Sequence, residues 1–463
     1  MVFLISWFLT FDFSAHADEL KQRLEKRLRG SDIAAAHVGL AVYDLNHGAE
    51  NLVFATNEDK DLIPASVTKI ATAAAALSRL GPSFKFQTGL WTAAPIKNSV
   101  LAGDLVLKGG GDPGFVSESM WFLVNELVRT GVQKIEGDVL VDDTDFDAVR
   151  ADASRDPERV DRAYDAPIGA MSFNWNSINI YIRPTKVGEA PQVYLDPITN
   201  GFKIHNKAKT VASGGSQLEV TRNGNTVFVS GKIGLGVQET VVYKNIDDPI
   251  EWCGQSLRFF LKQRGIEVTG KVRSGKKPEN ARLLAKSDSR PLSQHVADMM
   301  KFSNNYVAEM LTKNLAAQNG QHPASLDDGM KLIRDHLNQL GLDSKRFSLI
   351  NPSGLSRRNR IKSVDLARIL VAAQKNFPWF AEFLSSMPLA GLDGTLKKRM
   401  KDGPAEGWIR AKTGNLSGVV ALAGYAGRKD GSVRAFSFIY NGKPEKSESA
   451  RHLFDGLATD LVQ

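Results

Sequence analysis

The order of apolar and polar positions divides the chain into stretches of different texture. DELKQRLEKRLR, residues 18–29, reads as a charged surface helix that stops at Gly30. AHVGLAVYDL then alternates as a strand does, Asn46-His47-Gly48 offers a turn, and NLVFATN returns as the hairpin partner. An alanine-rich helix then starts at Ser66, within PASVTKI, and runs to Gly81. At the far end, GVVALAGYAG and SVRAFSFIYNG read as two strands joined at Lys429-Asp430-Gly431, and ESARHLFDGLATDLV as a closing helix. Helix and hairpin at one end match hairpin and helix at the other, which predicts a single antiparallel sheet flanked by helices, an α/β (α+β) fold.

The middle is different. From Lys85 to about Lys271 short strand patterns dominate: FQTGLWTAA, DLVLKGG, DVLVDD, INIYIRP, LEVTRNGNTVFVSG and ETVVYKN, with Asn223-Gly224 as a hairpin signal. Helical patterns resume at PIEWCGQSLRFFLKQRG and continue through SQHVADMMKFSNNYVAEMLTKNLAAQNG, LDDGMKLIRDHLNQLG and SVDLARILVAAQKNF. The expected organisation is one domain in two segments, 18–84 and 272–463, interrupted by a large strand-rich insertion over 85–271 that forms one or two small domains. Residues 1–17 read as an export signal. The apolar run Val2–Phe11 is too short to span a bilayer, and Ala15-His16-Ala17 has the small-x-small cleavage pattern, although no Lys or Arg precedes Lys21. The mature chain is therefore expected to be periplasmic or otherwise exported, soluble after cleavage, with no transmembrane anchor.

Composition narrows the function classes. Of 463 residues, 42% are hydrophobic and 24% charged, an ordinary globular balance. The net charge of +8 and pI near 9.3 favour an acidic partner. Lysines and arginines are scattered, without the aromatic-interleaved patch of a nucleic-acid binder, so no nucleic acid is expected and an acidic polymer such as a cell wall fits better. Cys253 stands alone, which excludes an intramolecular disulfide and a cysteine metal cluster, and WCGQSLRFF places it in a core. The eight histidines include no i, i+4 pair, and there is no Gly-x-Ser-x-Gly elbow. Neither a metal site nor a cofactor is expected, and His295 reads as a packed helix residue.

Candidate chemistry begins with Ser66 and Lys69, three apart at the mouth of the alanine-rich helix, where Pro64 sets the entry and a serine hydroxyl can meet the helix dipole. The spacing alone is weak, because Ser274 and Lys277 repeat it in an apparent basic loop. A bare lysine is also a poor base. With a pKa near 10.4, only about 1 in 2,500 is neutral at pH 7, and making it neutral costs about 4.6 kcal/mol. Burial or a second cation supplies that. RAKTGNLSG puts Lys412-Thr413-Gly414 just before an apolar strand, with the glycine expected to let a substrate backbone lie along the strand edge. KFSNNYVAEM puts Ser303 and Asn305 between two helical stretches, offering a hydroxyl relay and an uncharged amide. Serine-x-asparagine recurs at Ser172 and Ser177, so the weight rests on the three motifs together, in order, at element boundaries.

Two other loops resemble nucleotide-binding motifs and fail on detail. GGGDPG, residues 109–114, lies between a strand and a helix, yet Asp112 puts a carboxylate where a pyrophosphate would sit, and Pro113 removes an N–H. GKVRSGKK, residues 270–277, has Lys277 where a phosphate-binding loop needs Ser or Thr, and no helical pattern follows.

Ser66 to Lys69, Ser303 to Asn305 and Lys412 to Gly414 resemble the Ser-x-x-Lys, Ser-x-Asn and Lys-Thr-Gly motifs of active-site-serine penicillin-interacting enzymes. The long insertion between the first two, with LVLKGGGDP, EGDVLVDDTDF, YDAPIGAMSFNWNSINIYIRP, NPSGLSR and MPLAGLDGTLKKRM, is similar to the D-alanyl-D-alanine carboxypeptidase/endopeptidase group, the class C low-molecular-mass penicillin-binding proteins (peptidase family S13). The resemblance implies a penicillin-binding transpeptidase-like domain and a serine DD-peptidase without cofactor. Its partners would be peptidoglycan stem peptides, with β-lactams as covalent inhibitors. It further implies that Ser66 is the nucleophile, Lys69 the base and Ser303 the proton relay. Asn305 would hold the substrate amide, Lys412 and Thr413 the terminal carboxylate, and the Ser66 and Asn415 backbone N–H groups the oxyanion. Arg357 would face acidic groups of the stem peptide. Relatives often carry a hydroxyl residue after Lys-Thr-Gly, and Asn415 departs from that. A β-lactamase-like hydrolase and a non-catalytic peptidoglycan-binding protein are the alternatives.

Overall fold

The computed structural model describes residues 13–46, 51–155, 165–197 and 201–463. Residues 1–12 of the expected leader lie outside the described residues, as does most of the expected turn at Asn46-His47-Gly48; the first helix, Phe13–Arg29, runs through Ala17. Among the described residues, no helix is long and apolar enough to cross a membrane.

Both ends of the chain enter one sheet. Its strands lie in the order Ile409–Leu416, Val419–Gly427, Val433–Asn441, Val38–Asp44, Asn51–Thr56, each antiparallel to its neighbour. Alternate residues of a strand point to opposite faces, and here both faces are covered. Val420, Leu422 and Ala426 pack with Leu20, Leu24, Phe454 and Leu457 of the Phe13–Arg29 and Ser447–Val462 helices. Ala421, Ala423 and Tyr425 enter a second core with Ile70, Met299, Leu311 and Leu370. Those four come from helices Lys69–Leu80, Leu292–Lys301, Asn305–Gln318 and Ser363–Gln374. Burial on both sides explains why VVALAG is a continuous apolar run instead of an alternating one. Each large side chain so buried contributes about 1.5–3 kcal/mol. Arg27 Nη2 donates to Asp460 Oδ1 at 2.7 Å, tying the two terminal helices together.

A third core gathers residues between Leu90 and Ala285, including Leu123, Phe173, Ile180, Trp252 and Cys253. Its largest sheet runs Val272–Ser274, Val139–Asp142, Leu105–Lys108, Gln87–Thr92, Arg282–Asp288, so the strands by which the chain enters and leaves lie side by side. The expected hairpin forms with Asn223 opposite Thr226, which makes Gly224 and Asn225 the turn. Gly224, at φ 53°, supplies the left-handed conformation the turn needs.

Segments of this region pack against the helices of the terminal sheet. The Gly109–Gly114 loop packs against the 305–318 helix: Asn314 Nδ2 donates to Gly111 O at 2.7 Å, and a Cβ on Gly111 would fall 2.1 Å from Asn314 Oδ1. The glycines are there for close packing, and the space a pyrophosphate would need is filled by protein. The chain after Asp143 crosses the same helix, where the fully buried Lys313 donates to Asp147 Oδ1 at 2.5 Å and to Val149 O at 2.7 Å.

Candidate active site

PASVTKI does not form the first turn of an α-helix, as its sequence suggests. Ala65–Thr68 is a 3-10 turn and the α-helix starts at Lys69. Ala65 sits at φ 50°, a conformation that alanine adopts at a cost of order 1–3 kcal/mol and that surrounding contacts must hold. Two glycines allow those contacts. A Cβ on Gly354 would lie 2.0 Å from Ala65 O, and one on Gly414 would lie 2.8 Å from Pro64 O and 3.2 Å from the Ala65 Cβ. Ser66 is thus clamped between the Asn351–Leu355 loop and the Ile409–Leu416 strand. The missing side chain of Gly414 thus makes room for the Ser66 turn. Lys412-Thr413-Gly414 precedes the apolar strand Val419–Gly427, as expected, and itself lies in a further strand, Ile409–Leu416, at the edge of the sheet.

Lys69 has no exposed surface. Its Nζ lies 3.2 Å from Ser66 Oγ, 2.7 Å from Asn305 Oδ1 and 2.6 Å from Ser353 O. Burial, and next the Lys412 charge, push its pKa well below the usual lysine value, against an opposite pull from Glu309 and Asp165. Lys412 is equally buried, and desolvation brings its pKa down to about 7. Its Nζ donates to Ser303 Oγ at 2.8 Å and to Thr413 O at 2.7 Å. Ser303 occupies the break between helices Leu292–Lys301 and Asn305–Gln318, at φ 56°. Asn304 caps the second helix by accepting from Val307 N at 3.1 Å, which places Asn305 at its first position, facing Lys69.

The predicted residues therefore form two linked groups, Ser66–Lys69–Asn305 and Ser303–Lys412–Thr413. Asn415 is exposed beyond them on the same strand. Arg357 is exposed and donates to Ser417 O at 2.5 Å, at the turn after the strand. One edge of that strand pairs with Val419–Gly427. On the other, Ala411 N donates to Pro388 O at 3.0 Å and Ala390 N to Ile409 O at 2.9 Å. Because the backbone repeats every two residues, Thr413 and Asn415 turn their N–H groups the same way as Ala411. They lie past the end of the covering segment, where an extended chain can add as a further strand.

Several contributors were not singled out in the sequence. The Ser353 carbonyl that faces Lys69 is held by Asn351, whose Oδ1 accepts from Ser353 N at 3.1 Å, Ser353 Oγ at 2.8 Å and Gly354 N at 2.7 Å. Asn-Pro-Ser-Gly is a turn signal that could have marked it. Thr395 Oγ1 lies 2.8 Å from Thr413 Oγ1. Arg155 pairs with the fully buried Glu309, one helical turn after Asn305.

Chemically, the arrangement couples a hydroxyl to a buried amine. A neutral lysine has two N–H groups and one lone pair. With the N–H groups directed at Asn305 Oδ1 and Ser353 O, the lone pair remains for the Ser66 hydroxyl.

Known proteins resemble this chain along nearly its whole length. Residues 20–461 match the model of the family described as "D-Ala-D-Ala carboxypeptidase 3 (S13) family". The chain is 32% identical to a D-alanyl-D-alanine carboxypeptidase of Actinomadura sp. (strain R39), over 97% of this chain and 85% of that protein. The crystal structure of penicillin binding protein 4 (dacB) from Haemophilus influenzae superposes with a TM-score of 0.76 at 26% identity, covering 96% of this chain and 99% of that one. A second structure of that protein, complexed with a novel β-lactam, gives a TM-score of 0.71. The chain belongs to the D-Ala-D-Ala carboxypeptidase 3 (S13) family.

Proposed function

We propose that the protein is a serine-type D-Ala-D-Ala carboxypeptidase or endopeptidase that acts on peptidoglycan stem peptides through an acyl-enzyme. The observation that carries the reading is the buried Lys69 amine within hydrogen-bond reach of the Ser66 hydroxyl. The Ser66 oxygen attacks the carbonyl of the D-Ala-D-Ala bond as its proton passes to Lys69. The resulting oxyanion is met by the Ser66 and Asn415 N–H groups, each such donor being worth roughly 3 kcal/mol. Ser303 relays to the departing amine the proton that Lys69 took, and water then adds to the acyl carbon and releases the acid, the Ser66 oxygen regaining a proton. Lys412, with Thr413, receives the terminal carboxylate, which restores to that ammonium the counter-charge that burial denies it. Asn305 holds the substrate amide while its carbonyl keeps Lys69 in place. Arg357, at the open end of the strand edge, meets acidic groups further along the stem.

β-Lactams present the same carbonyl and carboxylate, so they acylate Ser66 and inhibit. The segments 18–84 and 272–463 form the peptidase domain around the 85–271 insertion, and the pairing of Gln87–Thr92 with Arg282–Asp288 favours drawing the second boundary nearer Asp288. Work on the wall requires export, with residues 1–17 as the leader; a mature protein whose sequence still begins at Met1 would contradict that assignment.

The test is release of D-alanine from an N-acylated peptide ending in D-Ala-D-Ala. The wild type is expected to release it and Ser66→Ala not to. A folded wild type that binds the peptide without releasing D-alanine would mark a non-catalytic wall-binding protein.

A further inference from the structure

Glu309 has no exposed surface and lies four residues after Asn305, on the same face of the 305–318 helix. An isolated buried carboxylate there would be a ready counter-ion for the Lys69 amine, which Asn305 contacts at 2.7 Å. The carboxylate is not isolated. Arg155, from the stretch between Lys85 and Lys271, grips it with two bonds, Nη2 to Oε2 at 2.6 Å and Nε to Oε1 at 3.2 Å. The remaining arm, Nη1, donates to the Asp165 and Ala166 carbonyls at 2.5 and 2.7 Å. With its side chain 8% exposed, Arg155 gives its guanidinium wholly to protein acceptors and has no direct contact with Ser66 or Lys69.

Resting on the assignment of Lys69 as base, we propose that Arg155 is a positioning residue for the reaction: by holding Glu309 as its own partner, it keeps that carboxylate from becoming the counter-ion of Lys69. The charged groups bearing on Lys69 are Lys412 from the strand edge, Glu309 from the helix and Asp165 from the insertion, with Arg155 set against Glu309. Burial is the larger effect and leaves the Glu309 pKa raised, while the Arg155 charge and hydrogen bonds draw it back part of the way, so the carboxylate has a partner other than Lys69. The insertion thus reaches the base electrostatically, through the helix that carries the serine-x-asparagine motif.

The test is the pH profile of the rate at which benzylpenicillin acylates the full-length protein. Its rise with pH reports loss of the Lys69 proton. In Arg155→Met the rising limb is expected to move up by about one pH unit, a tenfold loss of rate on its acid side that vanishes at high pH. In Glu309→Gln it is expected to move down, and in Arg155→Met/Glu309→Gln to return to its wild-type position. If Arg155→Met does not fold, the downward movement in Glu309→Gln decides. A limb that ignores the substitutions, or a rate that falls equally at every pH, overturns the role of Arg155. A folded wild type that is not acylated at all overturns instead the assignment of Ser66 and Lys69.

Discussion

Ser66 and Lys69 stand three apart, and so do Ser274 and Lys277. At the first pair the lysine has no exposed surface, three oxygens surround its nitrogen, and a second buried lysine bears on it. At the second pair, Ser274 ends a short exposed strand, and the Lys277 ammonium rests 4.9 Å from the centre of the Trp91 ring. Burial, with the contacts it encloses, separates the first pair from a surface contact. A charge over an aromatic face is stabilised as a charge, whereas one deprived of water is driven to neutrality.

The contrast is sharpest in the matched substitutions. Lys69→Met is expected to slow acylation by benzylpenicillin by roughly 10²–10⁴-fold, the usual contribution of a general base, while Lys277→Met leaves the rate unchanged. Equal losses in the two, measured by stopped-flow or quenched labelling, would end the distinction between them.

Lys412 extends it to pH. With a pKa of about 7, Lys412 loses above neutrality the charge that we propose meets the substrate carboxylate. With the peptide substrate, kcat/KM is expected to fall about tenfold per pH unit above roughly pH 7. A plateau to pH 9 would count against Lys412 as the carboxylate site.

Stability should respond in the opposite sense. Between about pH 7 and 10.5 the unfolded chain holds the Lys412 proton and the folded chain does not, so wild-type stability rises with pH across that window. Below it the full penalty applies, on the order of 5 kcal/mol before the hydrogen bonds to Ser303 and Thr413 are counted. Lys412→Met should therefore unfold at higher denaturant than wild type at pH 7, with the gap closing towards pH 10. A variant less stable at pH 7 would show that those hydrogen bonds outweigh desolvation. The smallest effect is expected at Lys277, where methionine removes a surface cation–π contact of about 0.5–1 kcal/mol. A larger loss of stability would give that lysine a structural part it lacks in the present account.

Much of this was legible in the sequence, for physical reasons. The sheet formed by the two chain ends could be read because its strands are long and apolar, and its helices end at glycines or begin behind prolines. The three motifs were found because their residue types carry unusual chemistry. What escaped was set by contacts distant in sequence. The 3-10 turn at Ala65 depends on Gly354 and Gly414 packing from elsewhere, so local propensity extends the helix back over Ser66. The Ile409–Leu416 strand was missed because its buried Lys412 and Gly414 interrupt the apolar pattern. The helix Phe377–Ser386 went unassigned although a proline stands at its start, a position where proline favours helix entry. Ser353 acts through a backbone carbonyl, which no side-chain motif records.

The intact mass of the folded protein after benzylpenicillin, followed by mapping of the modified peptide, shows whether Ser66 is the residue acylated. A single covalent adduct on Ser66 is expected, absent from Ser66→Ala and nearly absent from Lys69→Met at neutral pH. An adduct on any other serine, or one that forms at the wild-type rate without Lys69, would contradict the assignment of Ser66 and Lys69.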